Sequence, residues 1–343
     1  MLPELDPELL EIAASREAAD AVARALPFRV PLSAQFRSMR FREGLLIEGP
    51  QGWGEFSPFQ DYDTKRSALW LLAALESAFF AWPEPVRGEV PSNAILPEVD
   101  VPTTARLAAA AVQESGCRTI KVKVANKGEG LADDLARVGA IRKVLDDLLG
   151  SGVGRIRIDA NGRWDADEAR RALEQLARLG IEYVEQPCRS ADEMRAVKAE
   201  GVCAVAADEA IRIDAEIDSV AEFADVAILK VAPLGGIRRT LALAEGIPLP
   251  IVISGSMDTS IGLSASVAAA AALPDLPFDC GLGTGALLAA DVTRTTVLPS
   301  QGVVAVGRPE VLVNDSLVLT GTAAHAAADR LQAAFRDQLR ELS

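Results

Sequence analysis

Lys121 and Lys123 stand two residues apart in Thr119-Ile120-Lys121-Val122-Lys123-Val124, a stretch that otherwise reads as a buried β-strand. Alternation along a strand puts both on one face, about 7 Å apart. Lysine is rarely buried without a partner, so the pair either guards a solvated sheet edge or faces a site of opposite charge. Further along, several apolar segments end on ionisable residues. Asp159 follows Ile156-Arg157-Ile158, Glu185 follows Tyr183-Val184, Asp208-Glu209 follow Val205-Ala206-Ala207, and Lys230 follows Ile228-Leu229. From Asp159 the intervals are 26, 23 and 22 residues, one strand-plus-helix unit each time. In a parallel barrel such ends lie side by side at the C-terminal mouth, where active sites form.

Three carboxylates converging at about 4 Å repel by several kcal/mol per pair at a surface-like dielectric. A divalent cation removes that cost, and an all-oxygen set suits Mg²⁺ with room left for substrate oxygens. Any one of these acids alone could instead cap its following helix or pair with an arginine. Three in register opposite two strand lysines favour the cation. Such a site suits removal of a proton α to a carboxylate, because the metal stabilises the charge that develops on the carboxylate oxygens. A lysine can be the base if it is partly neutral. Bringing its pKa from about 10.4 to near 7.5 needs about 4 kcal/mol, which a neighbouring ammonium and a metal can supply.

The elements that must position these residues begin near residue 93. Strands are expected over 93–96, 119–124, 155–160, 181–185, 202–207, 226–231, 250–254 and 278–281, with helices between them. Asp165/Glu168 and Ser190/Glu193 have capping-box spacing, and Gly180 and Gly201 sit where helices end. Leu131, Leu135, Val138, Ile141, Leu145 and Leu148 form one helical stripe. This pattern suggests a β/α barrel, with a doubly wound open sheet as the alternative. Before it, Asp6 to Leu26 reads as one capped helix. Residues 28–60 read as antiparallel strands with a turn at Gly49-Pro50-Gln51-Gly52, and 64–81 as an apolar helix. Residues 290–343 return to mixed strand and Ala-rich helix that could pack on the N-terminal unit. Gly281-Leu282-Gly283-Thr284-Gly285 lacks phosphate-loop spacing and reads as a turn, as does Gly235-Gly236.

Bulk properties narrow the partners. A net charge of -14 opposes binding to nucleic acid or an anionic membrane. The four cysteines are widely spaced, which points to a reducing cytoplasm rather than a disulfide scaffold or zinc site. Neither a signal-like N-terminus nor a membrane-length apolar run is evident. The single histidine, His325, lies in an Ala-rich segment and reads as surface or packing, so histidine-based catalysis is disfavoured.

With these residues in view, the chain resembles the enolase superfamily, muconate-lactonising subgroup. The resemblance rests on Lys121-x-Lys123, Asp159-Ala160-Asn161, Glu185-Gln186-Pro187, Asp208-Glu209 and Lys230. Within it, Gly52-Trp53-Gly54-Glu55-Phe56-Ser57-Pro58-Phe59 and Ile253-Ser254-Gly255-Ser256-Met257 are most similar to the o-succinylbenzoate synthase family. The resemblance implies a (β/α)7β TIM-like barrel over 92–288. An α+β capping domain would be formed by 1–91 together with a returning segment over 289–343. It implies Mg²⁺ held by Asp159, Glu185 and Asp208, with Asn161 and Glu209 supporting the metal site. It implies Lys123 as base, Lys121 as its tuner and Lys230 on the opposite side, with Ser254, Gly255 and Met257 bordering a succinyl tail. The implied reaction is syn dehydration of a succinyl-hydroxycyclohexadiene carboxylate to o-succinylbenzoate, on the path to menaquinone. The partner is then a small carboxylate substrate, with no nucleic acid, membrane or obligatory protein partner. Racemisation of N-succinylamino acids, or epimerisation of dipeptides, by Lys123 and Lys230 on opposite faces is the alternative. Arg37, Met39 and Arg40 lie where a capping loop could reach the ligand.

Overall fold

The computed structural model describes residues 3–36, 39–213, 217–313 and 315–341. The single helix anticipated at the N-terminus is two, α1 (Pro7–Ala13) and α2 (Arg16–Ala23). Ser15 divides them. Its backbone is extended and its hydroxyl accepts from Ala18 N at 3.1 Å, satisfying an amide that a helix start leaves open. Both helices lay Leu9, Ala13, Ala18 and Val22 against Trp70 and Leu71 of α3 (Thr64–Phe79). Strands β1 (Leu26–Phe36), β2 (Met39–Gly49) and β3 (Gly52–Phe56) form an antiparallel sheet in that order. The β2–β3 turn falls on Pro50-Gln51, with Gly49 opposite Gly52. A β-carbon on Gly54 would collide with the backbone of Ala74, so this glycine lets α3 lie close on the sheet.

After β4 (Glu89–Pro91) the chain enters a parallel sheet. Its strands are β5 (Ala94–Leu96), β6 (Thr119–Lys123), β7 (Arg155–Asp159), β8 (Ile181–Glu185), β9 (Ala204–Ala207), β10 (Val226–Leu229) and β11 (Ile251–Ile253), neighbours in sequence order. The strand anticipated over 278–281 is reduced to single bridges, Cys280 to Ser92 on one edge and Gly281 to Ser254 on the other. Asn93 N donates to Cys280 O at 2.9 Å and Gly281 N to Ile253 O at 2.8 Å. The same short segment therefore joins both edges, which closes the ring and rules out an open doubly wound sheet. It is short because the chain turns at once. β-Carbons on Gly281, Gly283 and Gly285 would collide with Ser254, the Asn93 carbonyl and the Val297 carbonyl. The glycine run is a packing turn rather than a phosphate cradle.

Alternation sorts the strands. Ile120, Val122, Ile156, Ile158, Val184 and Leu229 point outward into the helix layer. Tyr183, Ala206, Ile228 and Val252 form a separate cluster inside the ring. Both capping boxes form, at Asp165/Glu168 and Ser190/Glu193. In the helix Leu131–Leu149 the stripe ends a turn early. Val138, Ile141 and Leu145 are buried, but Leu148 is 40% exposed beside the turn at Gly150.

The N-terminal sheet and α3 are tied to the barrel by two buried glutamates. Glu55 on β3 accepts from Thr259 N (3.1 Å), Thr259 Oγ1 (2.5 Å) and Gly262 N (3.1 Å) at the start of the helix Ser260–Ala272. Glu76 on α3 accepts from Ile237 N and from Arg238 N (3.0 Å) at the start of the helix Ile237–Gly246. Negative charge is favourable at both positions. Gly236 is at φ 127°, and a β-carbon there would strike the Glu76 carboxylate. The Gly235-Gly236 pair thus admits a domain contact as well as making a turn. Arg238 also pairs with Asp6 at 2.7 Å, which gives the N-terminal helix a hold on the barrel. The chain then returns. β12 (Val303–Ala305) pairs with β4, and Leu331 and Ala334 of the helix Gly321–Glu341 join the Trp70 cluster. His325 is exposed and the four cysteines are unpaired. Among the described residues no helix is long and apolar enough to cross a membrane.

Candidate active site

Register brings the charged strand ends together. Lys123 lies beside Asp159, and Asp159 beside Glu185. Glu185 pairs with Ala206, so Asp208 stands two residues further along on the same face. Lys121 is one layer deeper, level with Arg157 and Tyr183. Its ammonium reaches up to Asp159 at 2.9 Å and Glu185 at 2.6 Å. Lys123 contacts Asp159 at 2.5 Å, and Lys230 contacts Asp208 at 2.6 Å. All of these side chains are nearly buried. The strand lysines therefore face a site, not solvent.

The ammoniums sit between the carboxylates. Among the described residues no three acidic, histidine or cysteine side chains meet as a ready metal cage. The protein's own lysines relieve the repulsion expected among the three carboxylates, so repulsion alone does not demand a metal. The fit to a cation rests on a different observation. Glu185 Oε1 is buried with no hydrogen-bond partner among the described residues. A buried carboxylate oxygen without a donor is costly. Oxygen donors from Asp159, Glu185 and Asp208 suit a hard divalent ion, so the residues present fit one.

The electrostatics follow from these contacts. Burial opposes ionisation of Asp159, but Lys121 and Lys123 outweigh it and hold its carboxyl well below the usual range. Asp208 is likewise held low against burial by Arg212 and Lys230. Burial, and then the adjacent Asp159, push Glu185 up to about 7. Burial disfavours the charge on Lys121, yet Asp159 and Glu185 hold it above the usual lysine range. Lys121 is thus a fixed cation here.

Asn161 and Glu209 also arrive where expected. Asn161 Oδ1 accepts from Lys123 Nζ at 2.6 Å, and its Nδ2 donates to Glu209 Oε1 at 3.1 Å. The left-handed backbone of Asn161 (φ 49°) lets its N–H reach Asp159 Oδ1 at 3.0 Å. Gln186 has a role the sequence did not disclose. Its Oε1 accepts from Asp208 N and Ala210 N at 3.1 and 3.2 Å, joining the ends of β8 and β9.

The loop after β11 divides. Ser254 is buried inside the closure, its Oγ 3.3 Å from Gly281 O. Gly255 is packed so that a β-carbon would meet Thr284 Oγ1. Met257 lies at φ 62° with its side chain in the capping-domain cluster. Its carbonyl accepts from Arg42 Nε on β2 at 2.9 Å. Arg37 lies outside the described residues. Met39 and Arg40 line a groove with Ala327 and Arg330 of the C-terminal helix.

Asp258, at the end of this loop, is buried and pushed up to about 6, first by burial and then by Glu55. An acid raised above its unfolded value of about 3.9 costs stability that appears as pH rises from about 4 to about 6. Asp258→Asn should therefore stabilise the protein by roughly 1–3 kcal/mol above pH 6 and by nothing below pH 4. Urea unfolding at pH 4 and pH 7 reads this directly, and an equal change at both values would contradict it.

Residues 103–310 match the family described as enolase C-terminal domain-like, and residues 28–78 its N-terminal counterpart. The chain is 49% identical over 286 residues to o-succinylbenzoate synthase of Thermobifida fusca (strain YX), covering 83% of this chain and 87% of that protein. It is 43% identical to the enzyme of the same name from Mycolicibacterium smegmatis, covering 84% and 87%. The chain belongs to the o-succinylbenzoate synthase family. The fold is the one seen in muconate lactonizing enzyme from Pseudomonas fluorescens, with a TM-score of 0.71 at 22% identity, over 90% of this chain and 96% of that one. For a member of the o-succinylbenzoate synthase family, the capping domain over the barrel mouth and the lysines on two different strands now have a shared context.

Proposed function

We propose that the chain catalyses the Mg²⁺-dependent syn dehydration of 2-succinyl-6-hydroxy-2,4-cyclohexadiene-1-carboxylate to o-succinylbenzoate, a step of menaquinone biosynthesis. The observation that carries the site assignment is the convergence of Lys123, Lys230 and three strand-end carboxylates on one face of a closed barrel. The same reading divides the chain into 1–91 and 289–343 as capping parts and 92–288 as barrel, supported by the β4–β12 pairing.

Asp159, Glu185 and Asp208 would hold Mg²⁺. Bound there, it supplies Lewis-acid stabilisation of the negative charge that grows on the substrate carboxylate. Lys123 takes the α-proton on Nζ. With Asp159 committed to a cation, Lys123 loses a counter-charge, which favours the neutral amine that a base requires. The C–O bond then breaks on the same face, the departing hydroxide takes the proton back from Lys123, and water leaves. Lys121, a fixed cation, orients the carboxylate. Lys230 approaches from another strand and stabilises charge from the other side of the ring. Asn161 holds the Lys123 amine in place.

The direct test follows loss of the diene absorbance with purified protein and the cyclohexadiene substrate. Turnover should need Mg²⁺, stop in EDTA and return when Mg²⁺ is restored. No absorbance change with Mg²⁺ present would overturn the activity. Turnover indifferent to EDTA would overturn the metal reading.

A further inference from the structure

Arg212 lies four residues beyond Asp208, in the short helix Glu209–Arg212, with its side chain 2% exposed. Each guanidinium nitrogen is committed. Nε donates to Asp208 Oδ1 at 2.7 Å, Nη2 to Glu209 Oε1 at 2.7 Å, and Nη1 to the hydroxyl of Tyr62. Tyr62 is 150 residues away in sequence, in the loop between β3 and α3. A planar fork with all three arms engaged cannot turn without losing a bond.

The consequence for Asp208 is geometric. Arg212 holds Oδ1 closely through Nε at 2.7 Å and reaches Oδ2 only at 3.4 Å through Nη2, so Oδ2 is the oxygen presented to Lys230, at 2.6 Å. A second branch runs through Glu209 Oε1, which also accepts from Asn161 Nδ2 at 3.1 Å. Asn161 in turn accepts from Lys123 at 2.6 Å. One guanidinium therefore connects a strand-end carboxylate and a strand lysine to a single phenol of the capping domain.

Tyr62 is itself firmly seated. Its ring lies edge-on to Phe59 and Trp70, with centroids 5.7 and 6.4 Å away. Arg330, on the C-terminal helix, donates to the carbonyls of Pro58 (3.1 Å), Phe59 and Tyr62 (2.9 Å). The loop that carries the phenol is thus gripped by the chain's last helix.

We propose that Tyr62, acting through Arg212, is a positioning residue that fixes the orientation of Asp208 and, through Glu209 and Asn161, the Lys123 amine. The proposal rests on the reading of Asp208 as a metal ligand and Lys123 as base. It adds that the site is complete only with the capping domain's phenol in place.

The experiment measures Mn²⁺ affinity of the full chain by calorimetry, alongside kcat and KM, in wild type, Tyr62→Phe, Arg212→Lys, their double variant and Asp208→Asn. Tyr62→Phe keeps the ring packing and removes only the hydroxyl. It should weaken Mn²⁺ binding by roughly tenfold, the usual scale for groups that orient a ligand, and lower kcat more than it changes KM. The double variant should bind Mn²⁺ no worse than Arg212→Lys alone, because the phenol acts through the arginine. A merely structural role would lower the urea midpoint and leave Mn²⁺ affinity unchanged. Wild-type Mn²⁺ affinity in Tyr62→Phe, or additive losses in the double variant, overturns the proposal. Wild-type affinity in Asp208→Asn overturns instead the metal reading beneath it.

Discussion

Lys123→Ala is expected to lower kcat by roughly 10³-fold, within the range that a positioned proton-transfer group contributes, while the chain still folds. The expectation about folding comes from the charge pattern. Breaking a buried ion pair outright costs about 3–5 kcal/mol because it strands a charge. Alanine at 123 does not strand Asp159, which keeps Lys121 at 2.9 Å. Asn161 loses a donor on Oδ1 but keeps its bond to Glu209. The variant should therefore match wild type by circular dichroism, bind Mg²⁺ and fail in chemistry. Turnover within tenfold of wild type would remove Lys123 from the role of base.

Lys121 and the cation are expected to act as alternative counter-charges for the same oxygens. Lys121 bridges Asp159 and Glu185. Lys121→Met fills the volume but leaves Glu185 next to Asp159, and should cost the metal-free protein roughly 3–5 kcal/mol. Mg²⁺ at a hundred times its dissociation constant stabilises wild type by about 2.7 kcal/mol. The increment should be larger in Lys121→Met, where a competing positive charge has gone. It should collapse in Glu185→Gln, which lacks the oxygen charge that Mg²⁺ seeks. Urea unfolding with and without Mg²⁺ separates the three proteins. Equal increments in all of them would show that Mg²⁺ binds elsewhere.

The barrel was legible because its signals are local. Ile181–Glu185 forms as read, and the other strands shift at their ends by a residue or two, except 278–281, which survives only as two bridges; period-two alternation bounded by capping residues needs no distant partner. The charged strand ends were legible for the same reason: alternation fixes the face and the repeat fixes the interval. The identity of the counter-ions was not legible. Lys121 reaches Asp159 and Glu185 only because strand stagger sets it one layer lower, and stagger is a property of the closed ring. Tyr62 and Arg212 were missed for a further reason, since no spacing in the chain announces a contact across 150 residues. A cue for Arg212 existed in its offset of four from Asp208, which places the two on one side of a helical turn. The N-terminal break was missed because Ser15 sits in an otherwise continuous helical pattern, where a serine that caps and a serine that is merely exposed look alike.

Glu55 and Glu76 bear on the chain as a unit of inheritance. Each is a buried acid from one part of the molecule that completes the first turn of a helix in the other. A barrel cut free would begin two of its helices with bare amides, and a cap cut free would carry two carboxylates shaped for partners it no longer has. Neither half is a transferable module. Changes that retune the cap for a different substrate must leave these two glutamates and their helix starts untouched, so specificity here can be varied in the loops but not by exchanging the cap whole.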